Sequence, residues 1–270
     1  MSPAMSEQSF TVADGGFYHP NPVSQGFWSP DSVHARVIIG LLAHVIETGH
    51  GAPDFMPVRL TADLHAMPRQ EPIRVEVRVV KATSRLKVID AEAWCGEVSV
   101  GRATCQLLKV TEAPEGNVWT PPAWTAPHPD TMERGEQPRH GLWEARRVAG
   151  RIGGPAPKQM WMKEIRELVA GLPLTPFVRA ALASDYASPI THIGDAGVKY
   201  INTDVSLYLH RPPLGEWIGF EVIDFGHAGG VGAGACRLHD VTGPVGLVAF
   251  AALANQPRRR TRKFEGSDET

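Results

Sequence analysis

Shifted forward by 145 positions, one stretch of this chain falls on another with many of the same residues. Leu64-His65 lies over Leu209-His210, Pro68 over Pro213, Glu71 over Glu216, Glu76-Val77 over Glu221-Val222, Gly101 over Gly246 and Leu108 over Leu253. Chance would give about one identity across residues 64–77. Gaps are expected between the matching blocks. The period is too long for a solenoid, whose units run about 20–50 residues. It describes two copies of one domain fold, and 270 residues suffice for two units that each bury a core.

Each copy has the same grammar. In the first, Val33, Val37, Ile38, Leu41, Leu42 and Val45 recur at helical spacing across residues 32–47, and Gly49 and Gly51 follow as stop signals. Ile73 to Val79 alternates as a half-buried strand does, since successive side chains face opposite sides. Lys87 to Trp94 and Val98 to Leu108 flank a turn at Gly96-Glu97 and predict a long hairpin. In the second copy a helix over Pro176 to Ser184 precedes strands at Asn202–Leu209, Trp217–Phe225, Gly232–His239 and Val245–Leu253. A helix followed by antiparallel strands is an α+β pattern rather than alternating βαβ.

These readings divide the chain into an N-terminal unit (15–111), a linker rich in proline (112–145), a C-terminal unit (146–256) and a disordered tail (257–270) that is basic and then acidic. With 27 Lys+Arg against 29 Asp+Glu, nothing calls for nucleic acid as a partner. No apolar run approaches the ~18 residues of a membrane span, and Met1 to Phe10 has no signal-peptide character. Three unpaired-looking cysteines (Cys95, Cys105, Cys236) are expected to be inert buried thiols in a reducing, cytoplasmic setting.

Several motifs fail. Gly229 to Ala235 contains G-x-G-x-x-A, but a dinucleotide site needs a helix starting there, and only Cys236 to Thr242 separates it from Gly243-Pro244. These glycines are expected to allow a bend or a close backbone approach within a strand. There is no G-x-S-x-G, Walker A, H-E-x-x-H or C-x-x-C motif, so no metal site is expected and hydrolysis would fall to a carboxylate or histidine acting on water.

The strongest pattern lies in the second half: Ala183-Ser184-Asp185-Tyr186, then Asn202 to Leu209 running into His210-Arg211-Pro212-Pro213, then Gly215-Glu216-Trp217. With Phe27-Trp28-Ser29-Pro30 and Pro57-Val58-Arg59-Leu60 in the first half, it resembles the double-hotdog acyl-CoA thioesterases of the thioesterase II type over residues 15–255. The resemblance implies a double hotdog fold, hydrolysis of an acyl-CoA thioester to free acid and CoA, no cofactor beyond the CoA of the substrate, and a homo-oligomer. It implies that Asp185 activates or orients a water and that Asn202 holds it. Backbone amides near His34-Ala35-Arg36 would receive the oxyanion, and Arg36 would either block that approach or bind a CoA phosphate. The chain departs from the family where a Gln is expected in the last strand, because the candidate positions read Phe250 and Ala251. The position 145 before Ala251 is Gln106, but Gly40 and Pro57 beside it leave the first copy without acid–base side chains. Asp204 is expected as a solvent-facing strand residue or a charge partner, with Arg211 as a candidate partner, and His65 and His210 as structural residues. The alternative is a non-catalytic binder of acyl-CoA or another hydrophobic ligand. A third reading is a hydratase using Asp31 and His34.

Overall fold

The computed structural model describes residues 7–122, 124–134 and 143–255; the tail at 257–270 and part of the linker lie outside the described residues. The elements among the described residues are β1 (Ser9–Asp14), β2 (Phe17–Pro20), α1 (Ala35–His50), β3 (Phe55–Leu64), β4 (Ile73–Ala82), β5 (Leu86–Cys95), β6 (Val98–Lys109), β7 (Trp143–Ala149), β8 (Gln159–Glu164), β9 (Glu167–Val169), α2 (Pro176–Ser184), α3 (Ala187–His192), β10 (Tyr200–Asn202), β11 (Asp204–Leu209), β12 (Trp217–Ala228), β13 (Val231–Asp240) and β14 (Gly243–Ala254).

All the strands join one sheet, in the order β7-β8-β12-β13-β14-β11-β3-β6-β5-β4-β2-β1-β9, with β10 pairing β14 off this path. The order reads outward in the same way from β11 and β3, so each half is one helix-plus-sheet unit. The two halves meet where β3 pairs antiparallel with β11, from Asp63 opposite Asp204 to Arg59 opposite Tyr208. This is the double hotdog arrangement. The 145-residue shift carries β5 and β6 onto β13 and β14 end to end, so no gap is needed between the blocks. The hairpins of the two copies have equal length even where their side chains have diverged.

The sheet curls around the helices. From Arg36 to Ala43 every residue of α1 is buried, as expected of a helix enclosed by its sheet rather than lying on it. Its Leu41, Leu42 and Ile46 share one core with Leu60, Leu107, Leu182, Val205, Phe220 and Val248, which come from both units. The helices α1 and α2 pack against each other across the junction.

Three differences from the sequence reading have physical causes. The strand expected at Asn202–Leu209 breaks at Thr203, whose amide donates to Ala251 while its carbonyl accepts from Leu64, so that the chain crosses from one neighbour to the next. The strands β7 and β8 were not expected, because their pattern is interrupted by Arg146 and Glu164, both buried here. The helix α3 escapes notice because it contains Pro189, which is tolerated in a first turn where no intrahelical N–H bond is required.

Residues 124–130 of the proline-rich segment lie against the face of the C-terminal sheet opposite the helices. Trp124 stacks on Trp161 (4.9 Å) and His239 (4.5 Å), and Gly219 beneath leaves the room these rings occupy. Trp161 Nε1 donates to the Pro127 carbonyl at 3.1 Å, and Trp217 Nε1 donates to Asp130 at 3.0 Å.

Candidate active site

Asp185 stands at the joint between two helices. Thr175 caps the start of α2, its hydroxyl accepting from the Val178 amide, and Pro176 fits the first turn. The helix ends at Ser184, and α3 begins at Ala187, with Asp185 and Tyr186 between them. This places Asp185 in the C-cap position, 6% exposed, facing the core side of the sheet. Asn202 Nδ2, at the end of β10, donates to Asp185 Oδ1 at 2.9 Å. On the other side His34 Nδ1 lies 3.5 Å from Asp185 Oδ2, an ion-pair distance rather than a hydrogen bond.

His34 belongs to the first unit. It is the N-cap residue of α1, with its amide bonded to the Ser24 carbonyl and its ring edge-on to Phe27 at 4.8 Å. The carboxylate of the second unit therefore lies against the N-terminal end of the first unit's helix, where the helix dipole favours negative charge. Burial alone would raise the Asp185 pKa. The neighbouring imidazole of His34, the Asn202 amide and the charge of Arg36 outweigh it and hold the carboxyl below its ordinary range.

Arg36 is buried and pairs with Glu164 of β8, its guanidinium lying between the rings of Trp143 (4.9 Å) and Phe10 (5.2 Å). Burial lowers its pKa to about 9 against the opposing pull of Asp185. The guanidinium thus faces inward, behind Asp185, rather than toward a solvent-borne phosphate. Ala35 opens α1; the Val37 amide of the first turn donates to the His34 carbonyl at 2.9 Å, which leaves the Ala35 and Arg36 amides to face an oxyanion. Glu164 was not singled out from the sequence, because only the folded chain shows an acid there sealed against an arginine 128 residues away.

The strand register relocates the position expected to carry Gln. Asn202 pairs with Ala252, so the side chain beside Asn202 on the same face is the buried methyl of Ala252, not Phe250 or Ala251. Ala251 faces outward, its amide donating to Asp204 Oδ1 at 2.7 Å, and Phe250 lies further along the core face. Gln106 is not brought to Asp185. It pairs with Arg59 on β3, whereas Asp185 is held by Asn202 and His34.

Arg211 is not the partner of Asp204. It makes a two-pronged pair with Asp240, one arm at 2.8 Å, and Asp240 also accepts from the Leu214 and Thr242 amides. The His-Arg-Pro strand end is thus a clasp between β11 and the β13–β14 turn. Asp31 is exposed, and the acid beside His34 is Asp185 instead. Among the described residues no group of three His, Cys, Asp or Glu is placed to hold a metal.

The acyl-CoA thioesterase N-terminal domain family matches residues 24–108, and the acyl-CoA thioesterase C-terminal domain family matches residues 117–253. The chain belongs to the acyl-CoA thioesterase family. Solved structures of similar proteins include the tesB protein of Mycobacterium avium subs paratuberculosis, 16% identical, with a TM-score of 0.68 over 94% of this chain and 98% of that one. An acyl-CoA thioesterase II from Mycobacterium marinum is 16% identical, with a TM-score of 0.63 over 94% and 98%. A hot dog fold protein of unknown function from Alicyclobacillus acidocaldarius is 13% identical, with a TM-score of 0.73 over 95% and 100%. No curated protein matches the sequence. The resemblance read from the second-half motifs is thereby established for family and fold. No helix is long and apolar enough to cross a membrane among the described residues.

Proposed function

We propose that this member of the family hydrolyses an acyl-CoA thioester with water activated at Asp185. The observation that carries the reading is a buried carboxylate kept ionised, gripped by a side chain from each unit. A buried charge is costly unless it is paired, and this one, unlike the arginine-paired Glu164 and Asp240, is held by an imidazole and an amide. In the proposed reaction Asp185 takes a proton from a water oriented by the Asn202 carboxamide. The water oxygen bonds to the thioester carbonyl carbon, and the developing oxyanion turns toward the free amides at the start of α1. Collapse breaks the C–S bond, and the proton passes to the CoA sulfur, leaving the free acid. His34 steadies the charge of Asp185 from the other side.

Thiol release from a panel of acyl-CoAs tests this, with background from the three cysteines subtracted. Asp185→Asn is expected to lower kcat by at least ~10² while preserving the fold. Turnover unchanged by that substitution would refute the site. The methyl of Ala252 beside Asn202 favours a second reading, a binder of acyl-CoA that no longer turns it over. Binding with no thiol release from any substrate, at a sensitivity able to detect a 10³-fold impaired enzyme, would establish it.

A further inference from the structure

The glycine run that fails as a nucleotide loop shapes the sheet beside Asn202. Gly229 and Gly230, with φ of 56° and 82°, make the β12–β13 turn, and the rest of the run lies in β13. Asn202 pairs with Ala252, Ala252 pairs with Gly232, and on the next rung Phe250 pairs with Gly234. Paired residues face the same side. The Asn202 side chain therefore stands at the end of a trough floored by Ala252, Gly232 and Gly234.

The protein fills that trough with its own rings. A Cβ on Gly234 would lie 2.8 Å from the Phe250 ring, and one on Gly232 would lie 3.2 Å from Phe225 and 3.4 Å from Tyr200. The Tyr200 and Phe225 rings meet edge to face at 5.8 Å. His192 of α3 closes the cluster from the helix side, 6.0 Å from Phe225 and 6.2 Å from Phe250, with its Nε2 held by Ser188 Oγ at 2.9 Å.

We propose that these rings are the end wall of the acyl pocket and confine the substrate to short-chain acyl-CoA thioesters. The inference rests on the thioesterase reading, since it takes Asp185 and Asn202 as the place where the carbonyl sits. Phe250 lies two residues along β14 from Ala252, a rise of about 7 Å, so the rings stand close to the Asn202 rung and an acyl chain longer than a few carbons would meet them. Without side chains at 232 and 234 the rings come within 2.8–3.4 Å of where those Cβ atoms would stand.

The test is calorimetric binding of non-hydrolysable S-ethyl-, S-butyl-, S-octyl- and S-benzyl-CoA thioethers, which needs no turnover. The wild type is expected to bind the butyl compound at least tenfold more tightly than the octyl or benzyl. Phe250→Ala is expected to bring octyl binding to the butyl level or better. A thermal melt checks that this variant folds, and Tyr200→Ala, at a half-buried position, serves the same purpose if it does not. Octyl or benzyl binding to the wild type as tight as butyl, no binding of any analogue, or a folded wall variant with an unchanged profile would overturn the proposal. Thiol-release assays on the matching acyl-CoAs separate the two claims. A sharp chain-length limit in binding without hydrolysis supports the wall and refutes the activity. Rapid hydrolysis of long chains supports the activity and refutes the wall.

Discussion

Asp185 is held by the Asn202 amide on one side and by His34 on the other. Asn202→Ala removes one neutral donor from a buried carboxylate. It is expected to lower kcat by ~10–10² in the thiol-release assay, less than Asp185→Asn, because the His34 contact remains. Replacing Ala252 by Gln places a carboxamide beside Asn202 and is expected to raise kcat at least tenfold; an unchanged rate with an intact fold would show that this gap does not limit turnover. The carboxyl of Asp185 lies below its ordinary range, so the acid limb of kcat/KM that it sets falls below about pH 4. A single limb near neutrality would assign the essential proton to another group. At this scale the sequence was partly readable. An acid at a helix end and an amide at a strand start stand out along the chain. The Asn202–Ala252 contact does not, because it depends on a strand break at Thr203 that only the hydrogen bonds of Ala251 and Leu64 impose.

The helices α1 and α2 each end against the beginning of the other. Asp185 at the end of α2 meets His34 at the start of α1, and Glu47 near the end of α1 accepts a 2.5 Å hydrogen bond from the Thr175 hydroxyl at the start of α2. Burial raises the Glu47 pKa, and the Thr175 bond opposes the rise. Thr175→Ala loses both the cap and this bond and is expected to cost about 1–2 kcal/mol in chemical denaturation, with Thr175→Ser recovering most of it. The Arg36–Glu164 pair ties α1 to β8 of the other unit. Glu164→Gln leaves a buried guanidinium without its counter-charge and is expected to cost about 3–5 kcal/mol by the same measurement. Elements with clean patterns were legible in the sequence, such as the β5–β6 hairpin with its Gly96-Glu97 turn. Those whose charges are neutralised by distant partners, β7 and β8, were not, since a buried Glu164 looks like a surface acid until Arg36 is beside it.

For the whole molecule, buried carboxylates set its behaviour in acid, Asp185 and Asp240 among them. Both Asp185 and Asp240 titrate below the ordinary range when folded, the second because Arg211 and the surrounding donors outweigh its burial. A depressed carboxyl adds stability that is complete above the unfolded pKa of about 4 and is lost as the pH falls toward the folded value. The native chain is therefore expected to lose stability steeply below about pH 4 in equilibrium unfolding, and Asp240→Asn to flatten that slope. Burial pushes the thiols of Cys105 and Cys236 up to about 12, so a thiol reagent at neutral pH is expected to react with them only on unfolding. The repeat made this scale the most readable of the three. Two copies with equal hairpins leave few ways to share one sheet, and the palindromic strand order is one of them.

Fusing the copies allows their sequences to part company. Two identical chains meeting in this way would have to place the same residue at both related positions. Here the shift that aligns the strands puts Gly40 opposite Asp185, and a Cβ at Gly40 would run into Leu182 at 2.8 Å. The residue on one side of the pair is free to be reactive because the other is free to be merely small. On the proposed reading the chain keeps a working half and a supporting half, which meet at the contact between α1 and α2.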